Sequence, residues 1–368
     1  MKENNAKKPL FLPLYALILY GIAALALLVY LAAVIFTSFA DFFSRTVGGA
    51  VRFVLGHLTG PLPFSLAEIL IFLMPVGIVI IGVFAWRRST TWRNMARYLF
   101  SVVSVVSLLF SLFVFSFGTG YHTTTLDRRL GLAAEGVSAE ELKETALWLA
   151  GQVNTAAGGV TFGEDGFSQM PYDLDTLNAH LLDAYEDICD KYPFISSLRV
   201  GVKPVLVSKA MSYTHITGVY TYFTGEANVN VYFPDYTLPY TAAHEMAHQR
   251  GIARENEANF VAFLACAASS DPYVQYTAYL NLFEYVANAL WQADREAYRE
   301  VLLTLSPEVI GELRAYDAFF EQFRDSVAAD ISGAVNDTYL KVHGNKEGTA
   351  SYGLVVDLAV AYFKEQKN

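Results

Sequence analysis

The apolar positions of this chain follow two regimes. Between Lys8 and Asp41 there is no charged residue, and the run Leu14 to Phe36 is long enough to cross a hydrocarbon core. Phe64 to Trp86 is a second such run, interrupted only by Glu68 near its start and by Pro75 and Gly77, all of which membrane helices tolerate. Tyr98 to Phe117 is a third, with Ser101, Ser104, Ser107 and Ser111 at spacings that suit helix packing. Three membrane helices are therefore expected, at about 14–36, 64–86 and 98–117. The first apolar stretch exceeds the h-region of a signal peptide and two more spans follow it, so residues 1–118 read as a retained anchor.

Beyond residue 118 the pattern becomes amphipathic. Ser138-Ala139-Glu140-Glu141 is a capping box opening a helical run to Val153, and Leu174 to Tyr192 is a second helical stretch. From Ser208 to Phe233 the period shortens and Val, Ile, Thr and Tyr accumulate, as in strands. Residues 217–223 and 227–233 flank Thr224-Gly225-Glu226, which predicts a hairpin. Asn228 and Asn230 share one face of its second strand, either as solvent-facing alternation or beside an edge that takes substrate main chain. Pro239, Asp271-Pro272 and Ser306-Pro307-Glu308 mark further helix starts. Residues 119–368 are expected to form one mainly helical α+β domain with a small sheet.

Charge gives this arrangement a direction. Lys2, Lys7 and Lys8 precede the first span, and Arg87, Arg88, Arg93 and Arg97 lie between the second and third, against Arg45 and Arg52 in the loop between the first two. Basic segments stay on the cytoplasmic side, so the N-terminus is expected inside and residues 119–368 outside. The first 118 residues carry nine Lys/Arg and three Asp/Glu, which leaves 17 and 33 for the remainder and a net charge of −16 there. Such a domain repels nucleic acid and anionic lipid. Its expected partners are peptides, glycans or other proteins of the cell envelope, with the bilayer around its anchor. Cys189 and Cys266 are too few for a disulfide framework; they form either one pair or two buried thiols.

The candidate chemistry lies in His244-Glu245-Met246-Ala247-His248-Gln249-Arg250-Gly251. Histidines four apart share one helix face and reach one ion, here expected to be Zn2+. Glu245 is rotated by about 100° from His244, beside the ion rather than on it, as a general base for an activated water. Gly251 is placed to adopt a left-handed conformation that ends the helix. A catalytic zinc needs a third protein ligand, and the next helical stretch, 254–266, offers two carboxylates. Glu257 aligns with Phe260, Val261 and Leu264 on the face expected to be interior, so it is the predicted ligand, with Glu255 as the alternative. His57, His122, His180, His215 and His343 have no ligand spacing to this motif and are expected to be structural.

The octapeptide resembles the zinc peptidases with an H-E-x-x-H helix. Arg254 stands where a metzincin would place its third histidine, whereas Asn256-Glu257-Ala258 is similar to the third-ligand helix of gluzincins. Glu255 through Phe260 also resembles the short-spacing zinc peptidases related to phage-repressor cleavage. Three pieces resemble a family of bacterial membrane proteins of undetermined function: Thr224 to Asn230, His244 to Phe263, and a tail segment with Asn336, Tyr339, Leu340, Gly348, Ser351, Tyr352 and Gly353. These resemblances imply three transmembrane helices followed by a zincin-like metallopeptidase domain. They also imply a Tyr or His across the metal from the base, for which Tyr352 and His343 are the candidates. The expected activity is peptide-bond hydrolysis by a membrane-anchored zinc metallopeptidase. The alternatives are a non-catalytic zinc-binding envelope sensor or assembly protein, and an amidase acting on cell-wall peptide.

Overall fold

The computed structural model describes residues 11–88, 91–133, 136–342 and 354–367. Three helices, Leu14–Ile35, Leu66–Arg88 and Trp92–Ser116, are long and apolar enough to cross a membrane. The most apolar window of Leu66–Arg88 is 0 % buried by protein, as befits side chains that take lipid as their neighbour. The chain is membrane-associated. The third helix starts earlier than its apolar run because Thr91 caps it, its hydroxyl accepting from the Asn94 N–H at 3.3 Å. It packs along the first helix, where the Tyr20 hydroxyl donates to the Phe100 carbonyl at 2.7 Å.

Between the first two membrane helices the chain is helical, where hydropathy suggested only a loop. Thr37–Phe43 leads through a π-helical turn, Ser44–Gly48, into Gly49–Thr59. Arg52, counted above as a loop charge, is 2 % exposed. Its guanidinium donates to the Ser116 carbonyl at 2.5 Å and the Ser44 carbonyl at 2.9 Å, so it ties this helix to the end of the third membrane helix. A buried cation with carbonyl partners is a structural clamp and carries no topological signal.

The remaining described residues form a mainly helical body. The Ser138 capping box is present and opens Ala139–Ala157. Leu174–Lys191, Pro272–Ala293 and Pro307–Phe320 begin at side-chain caps from Asp173, Asp271 and Ser306. The sheet has three short strands in the order β1-β3-β2: β1 Lys203–Pro204, β2 Gly218–Thr221 and β3 Glu226–Val229. The expected hairpin is the antiparallel β2–β3 pair, and β1 runs parallel to β3 on its other side. The strand region starts later than its composition suggests, because Ser208–Ser212 is helical.

Two readings of the hairpin are corrected. Since β3 is the central strand it has no free edge, and Asn228 and Asn230 are buried at 2 % and 0 % exposure. Their amides donate to backbone carbonyls of Val219 and Ile216 respectively, so they do not face solvent. The outer strands of the sheet are β1 and β2.

Glu226 explains much of the Thr224–Asn230 segment. Its carboxylate accepts from the N–H groups of Leu66 and Ala67 at 3.0 and 2.8 Å, capping the N-terminus of the second membrane helix where the helix dipole favours an anion. It also pairs with Lys203 at 2.7 Å, both side chains being buried. The sheet is thus fastened to the anchor. Glu226→Ala would strand the Lys203 ammonium and uncap the helix, and is expected to cost about 3 kcal/mol. Chemical unfolding of the detergent-solubilised protein checks this, and Glu226→Gln, which keeps one acceptor, should lose less.

Candidate metal centre

The helix Thr237–Gln249 packs on β2 and β3 with one side and on the helix Glu255–Ala268 with the other. The turn between these helices follows from Gly251. At φ +95° it occupies the left-handed region, the Gly251 N–H returns to the His248 carbonyl at 2.9 Å, and the Ile252 N–H returns to the Ala247 carbonyl at 3.1 Å. This pair of bonds is a Schellman ending. It leaves the Ile252 carbonyl facing His248, whose Nδ1 lies 2.7 Å away. Because a carbonyl only accepts, the proton is held on Nδ1 and the Nε2 lone pair is left for a ligand.

The structure brings His244, His248 and Glu255 together. The Glu255 carboxylate lies 3.2 Å from His244 Nε2 and 3.5 Å from His248 Nε2, and one donor atom from each residue falls within 4.8 Å of the others. Donors about 2.0–2.1 Å from a tetrahedral zinc lie about 3.3 Å apart, so both spacings suit a shared ion. The electrostatics agree. Burial opposes the His248 imidazolium, but the adjoining Glu255 carboxylate outweighs it and lifts the ring to about 9. Burial likewise opposes charge on Glu255, and the two imidazoles reverse this and hold the carboxyl below its ordinary range. Two imidazoles and a carboxylate around one point call for positive charge, which a divalent cation supplies.

Glu257, the predicted ligand, is placed elsewhere. Its carboxylate pairs with Arg254 at 2.7 Å and accepts from the Leu126 N–H at 3.0 Å. Asn256 to Cys266 are all buried, so the apolar pattern of this helix does not single out one side. Glu255 sits at the first helical position, directly after the turn, and reaches back to the histidines.

Glu245 lies beside the three donors without joining them. It accepts from the Tyr220 N–H of β2, and its Oε2 is buried with no hydrogen-bond partner. Burial raises its carboxyl above the ordinary range; the imidazoles pull it back and Glu255 adds to the rise. Gly218 makes room for it, since a Cβ there would stand 2.6 Å from Glu245 Oε1.

All four residues line a cleft of about 1040 Å³. No Lys or Arg is found among the described residues lining it. Three of its polar groups escaped the sequence reading. Asn259 follows Glu255 by one helical turn, a legible signal once Glu255 is the ligand, and its buried Nδ2 has no partner. Glu284 and Tyr285 come from Pro272–Ala293, which nothing in the sequence links to the motif. Burial first, and then Glu312, push the Glu284 carboxyl up to about 8. His343 and Tyr352 lie outside the described residues. His215 lines the cleft with Nε2 2.7 Å from the Phe323 carbonyl, while His57 and His180 bind Phe53 and Asp271. Cys189 and Cys266 are free thiols.

A family model described as a protein of unknown function (DUF3810) matches residues 43–360. The chain belongs to that family. The match begins at Phe43 and takes in the helix Gly49–Thr59, the sheet and the four residues His244, Glu245, His248 and Glu255. No curated protein and no solved structure gives a significant match.

Gly251 is doubly constrained. Any side chain there would strain the left-handed backbone, and its Cβ would collide with the Arg52 guanidinium. Gly251→Ala is expected to cost about 1–3 kcal/mol through backbone strain and to loosen His248 by moving the Ile252 carbonyl. A drop in Tm together with weaker zinc retention is the expected result; an unchanged Tm would show that the turn relaxes freely.

Proposed function

We propose that this protein is a membrane-anchored zinc metallopeptidase, of gluzincin-like type, with its N-terminus in the cytoplasm and the domain after the third span outside it. The observation that carries this reading is the Glu255 carboxylate at 3.2 and 3.5 Å from two imidazoles four residues apart, with a buried, unligated Glu245 beside them. His244, His248 and Glu255 would hold the ion. When bound, zinc would lower the pKa of a water and polarise a carbonyl.

The chain's own groups supply the rest. Glu245, buried and raised, is suited to take a proton from the attacking water and deliver it to the leaving amine. The free edge of β2, with Gly218, Val219 and Tyr220 on the cleft wall, is suited to take an extended peptide as an added strand. Asn259, whose Nδ2 is buried without a partner, and Tyr285 also line the cleft and are suited to hydrogen-bond the substrate carbonyl. With acidic groups and no Lys or Arg among its described lining residues, the cleft favours neutral or cationic peptide over a free carboxylate.

The test is metal analysis of the full-length protein in detergent, followed by digestion of a peptide library. About one zinc per chain and zinc-dependent cleavage are expected. Stoichiometric zinc with no cleavage of any peptide would leave a structural metal and overturn the peptidase reading. Orientation is checked by labelling: reagents outside intact cells should reach residues after the third helix and spare the Arg87 to Arg97 segment.

A further inference from the structure

The candidate metal site is built onto the end of the third membrane helix. The stretch from Arg97 to Phe117 rises about 30 Å along its helix, which is one hydrocarbon thickness. Phe117 therefore marks the point where the third span ends. Its ring packs edge-on to the His248 ring with centroids 5.7 Å apart. The next turn, Gly118–His122, touches the loop after the histidine helix, where a Cβ on Gly120 would stand 2.9 Å from that of Ala253. Phe117 and Tyr121 both line the cleft. One wall of the cleft is thus the end of a membrane helix.

The first membrane helix fixes the depth independently. Tyr20 is level with Phe100, and Tyr30 meets the His122 ring at 5.2 Å, so the two helices climb together towards the site. Residues 31–35 continue about 7 Å further, and Leu31, Val34 and Ile35 are 47 %, 51 % and 68 % exposed. Apolar surface on this helix thus reaches about the level of Phe117, because Ile35 stands about 22 Å above Tyr20 and Phe117 about 25 Å above Phe100 at the helical rise. It then passes into the helices between the first two spans, where Phe42, Phe53, Val54 and Leu58 are between 53 and 70 % exposed. Arg52, which packs against Gly251 beside the metal ligands, is in the same helix as three of these residues. On the other flank, Glu68 in the first turn of the second membrane helix accepts from the Leu206 and Val207 N–H groups, and Leu206 is 73 % exposed. Apolar side chains this exposed, continuous with the spans, take the interfacial layer of the bilayer as their neighbour.

We propose that the metal centre works within the interfacial layer and that its substrate is the juxtamembrane stretch of a polypeptide anchored in the same membrane. The substrate half of this proposal rests on the peptidase reading. The depth half does not.

The full-length protein, reconstituted in phosphatidylcholine vesicles, tests both. For depth, a fluorophore is attached at Val219→Cys, on the cleft wall and 40 % exposed, or at Leu303→Cys, 87 % exposed, each in a Cys189→Ser background. Lipids carrying a nitroxide near the headgroup should quench the label at 219 and spare that at 303. Equal or weaker quenching at 219 would overturn the proposal.

For substrate, peptides with one apolar anchor helix carry a cleavable library sequence after a spacer of either five or thirty residues, beside the same sequence without an anchor. A five-residue spacer reaches at most about 17 Å, so its cleavage demands a centre close to the bilayer. Sharing a membrane raises effective concentration, and cleavage of this peptide about 100-fold faster than the unanchored one is expected. Cleavage only with the long spacer, or equal cleavage without an anchor, would overturn the proposal. If no peptide is cut, the peptidase reading fails and the substrate half falls with it, while the quenching result still decides the depth.

Discussion

Glu255→Ala is expected to lower zinc affinity by at least about 100-fold and to abolish zinc-dependent hydrolysis, because it removes one of the three donors grouped among the described residues, and the proposed zinc site needs all three. The carboxylate lies 3.2 and 3.5 Å from the imidazoles, so its loss also leaves the buried His248 ring and the partly buried His244 ring facing each other without the carboxylate between them. Metal binding is coupled to folding, and the Tm advantage that zinc gives the wild type should shrink accordingly. Glu257→Ala is the informative control. It breaks the 2.7 Å pair with Arg254 and the bond from the Leu126 N–H, so it should lower Tm in the presence and absence of zinc alike while leaving about one zinc per chain. Metal analysis after dialysis against a weak chelator checks both variants. The opposite pattern, with Glu257→Ala losing the metal, would mean that the first turn of the Glu255–Ala268 helix is rotated from the arrangement described here.

The contrast between these two glutamates marks how far the sequence could be read. The three membrane helices, the Ser138 box, the proline-led helix starts and the β2–β3 hairpin were legible because each rests on local chemistry: an apolar run, a cap, a turn. His244, His248 and Glu245 were legible for the same reason, since helical spacing alone puts them on neighbouring faces. The choice between Glu255 and Glu257 depended on which side of the next helix is interior. A helix surrounded by the histidine helix, Pro272–Ala293, Leu174–Lys191 and Leu354–Lys367 has no exterior to define that side. Glu284 and Tyr285 reach the cleft only through long-range packing. The attachment of the site to the anchor was hidden in single residues whose roles depend on distant partners: Arg52 under Gly251, Glu226 at the start of the second membrane helix, Phe117 against His248.

The base can be separated from the ligands by a change that leaves the metal in place. Glu245→Gln keeps the shape of the side chain and an acceptor for the Tyr220 N–H but cannot take up a proton. Zinc content and Tm should therefore match the wild type, while kcat for a cleavable peptide falls by about 10²- to 10⁴-fold, the usual cost of losing a general base. Gly218→Ala approaches the same group from the other side. Its methyl would stand 2.6 Å from Glu245 Oε1 and 2.9 Å from the Thr241 methyl, so the carboxylate must move away from the position that the Tyr220 N–H holds. This variant should also keep its zinc and lose kcat, though less than Glu245→Gln, because a displaced base still exchanges protons. Zinc-replete Glu245→Gln with undiminished hydrolysis would remove Glu245 from the mechanism and shift attention to Glu284, the other raised carboxyl in the cleft.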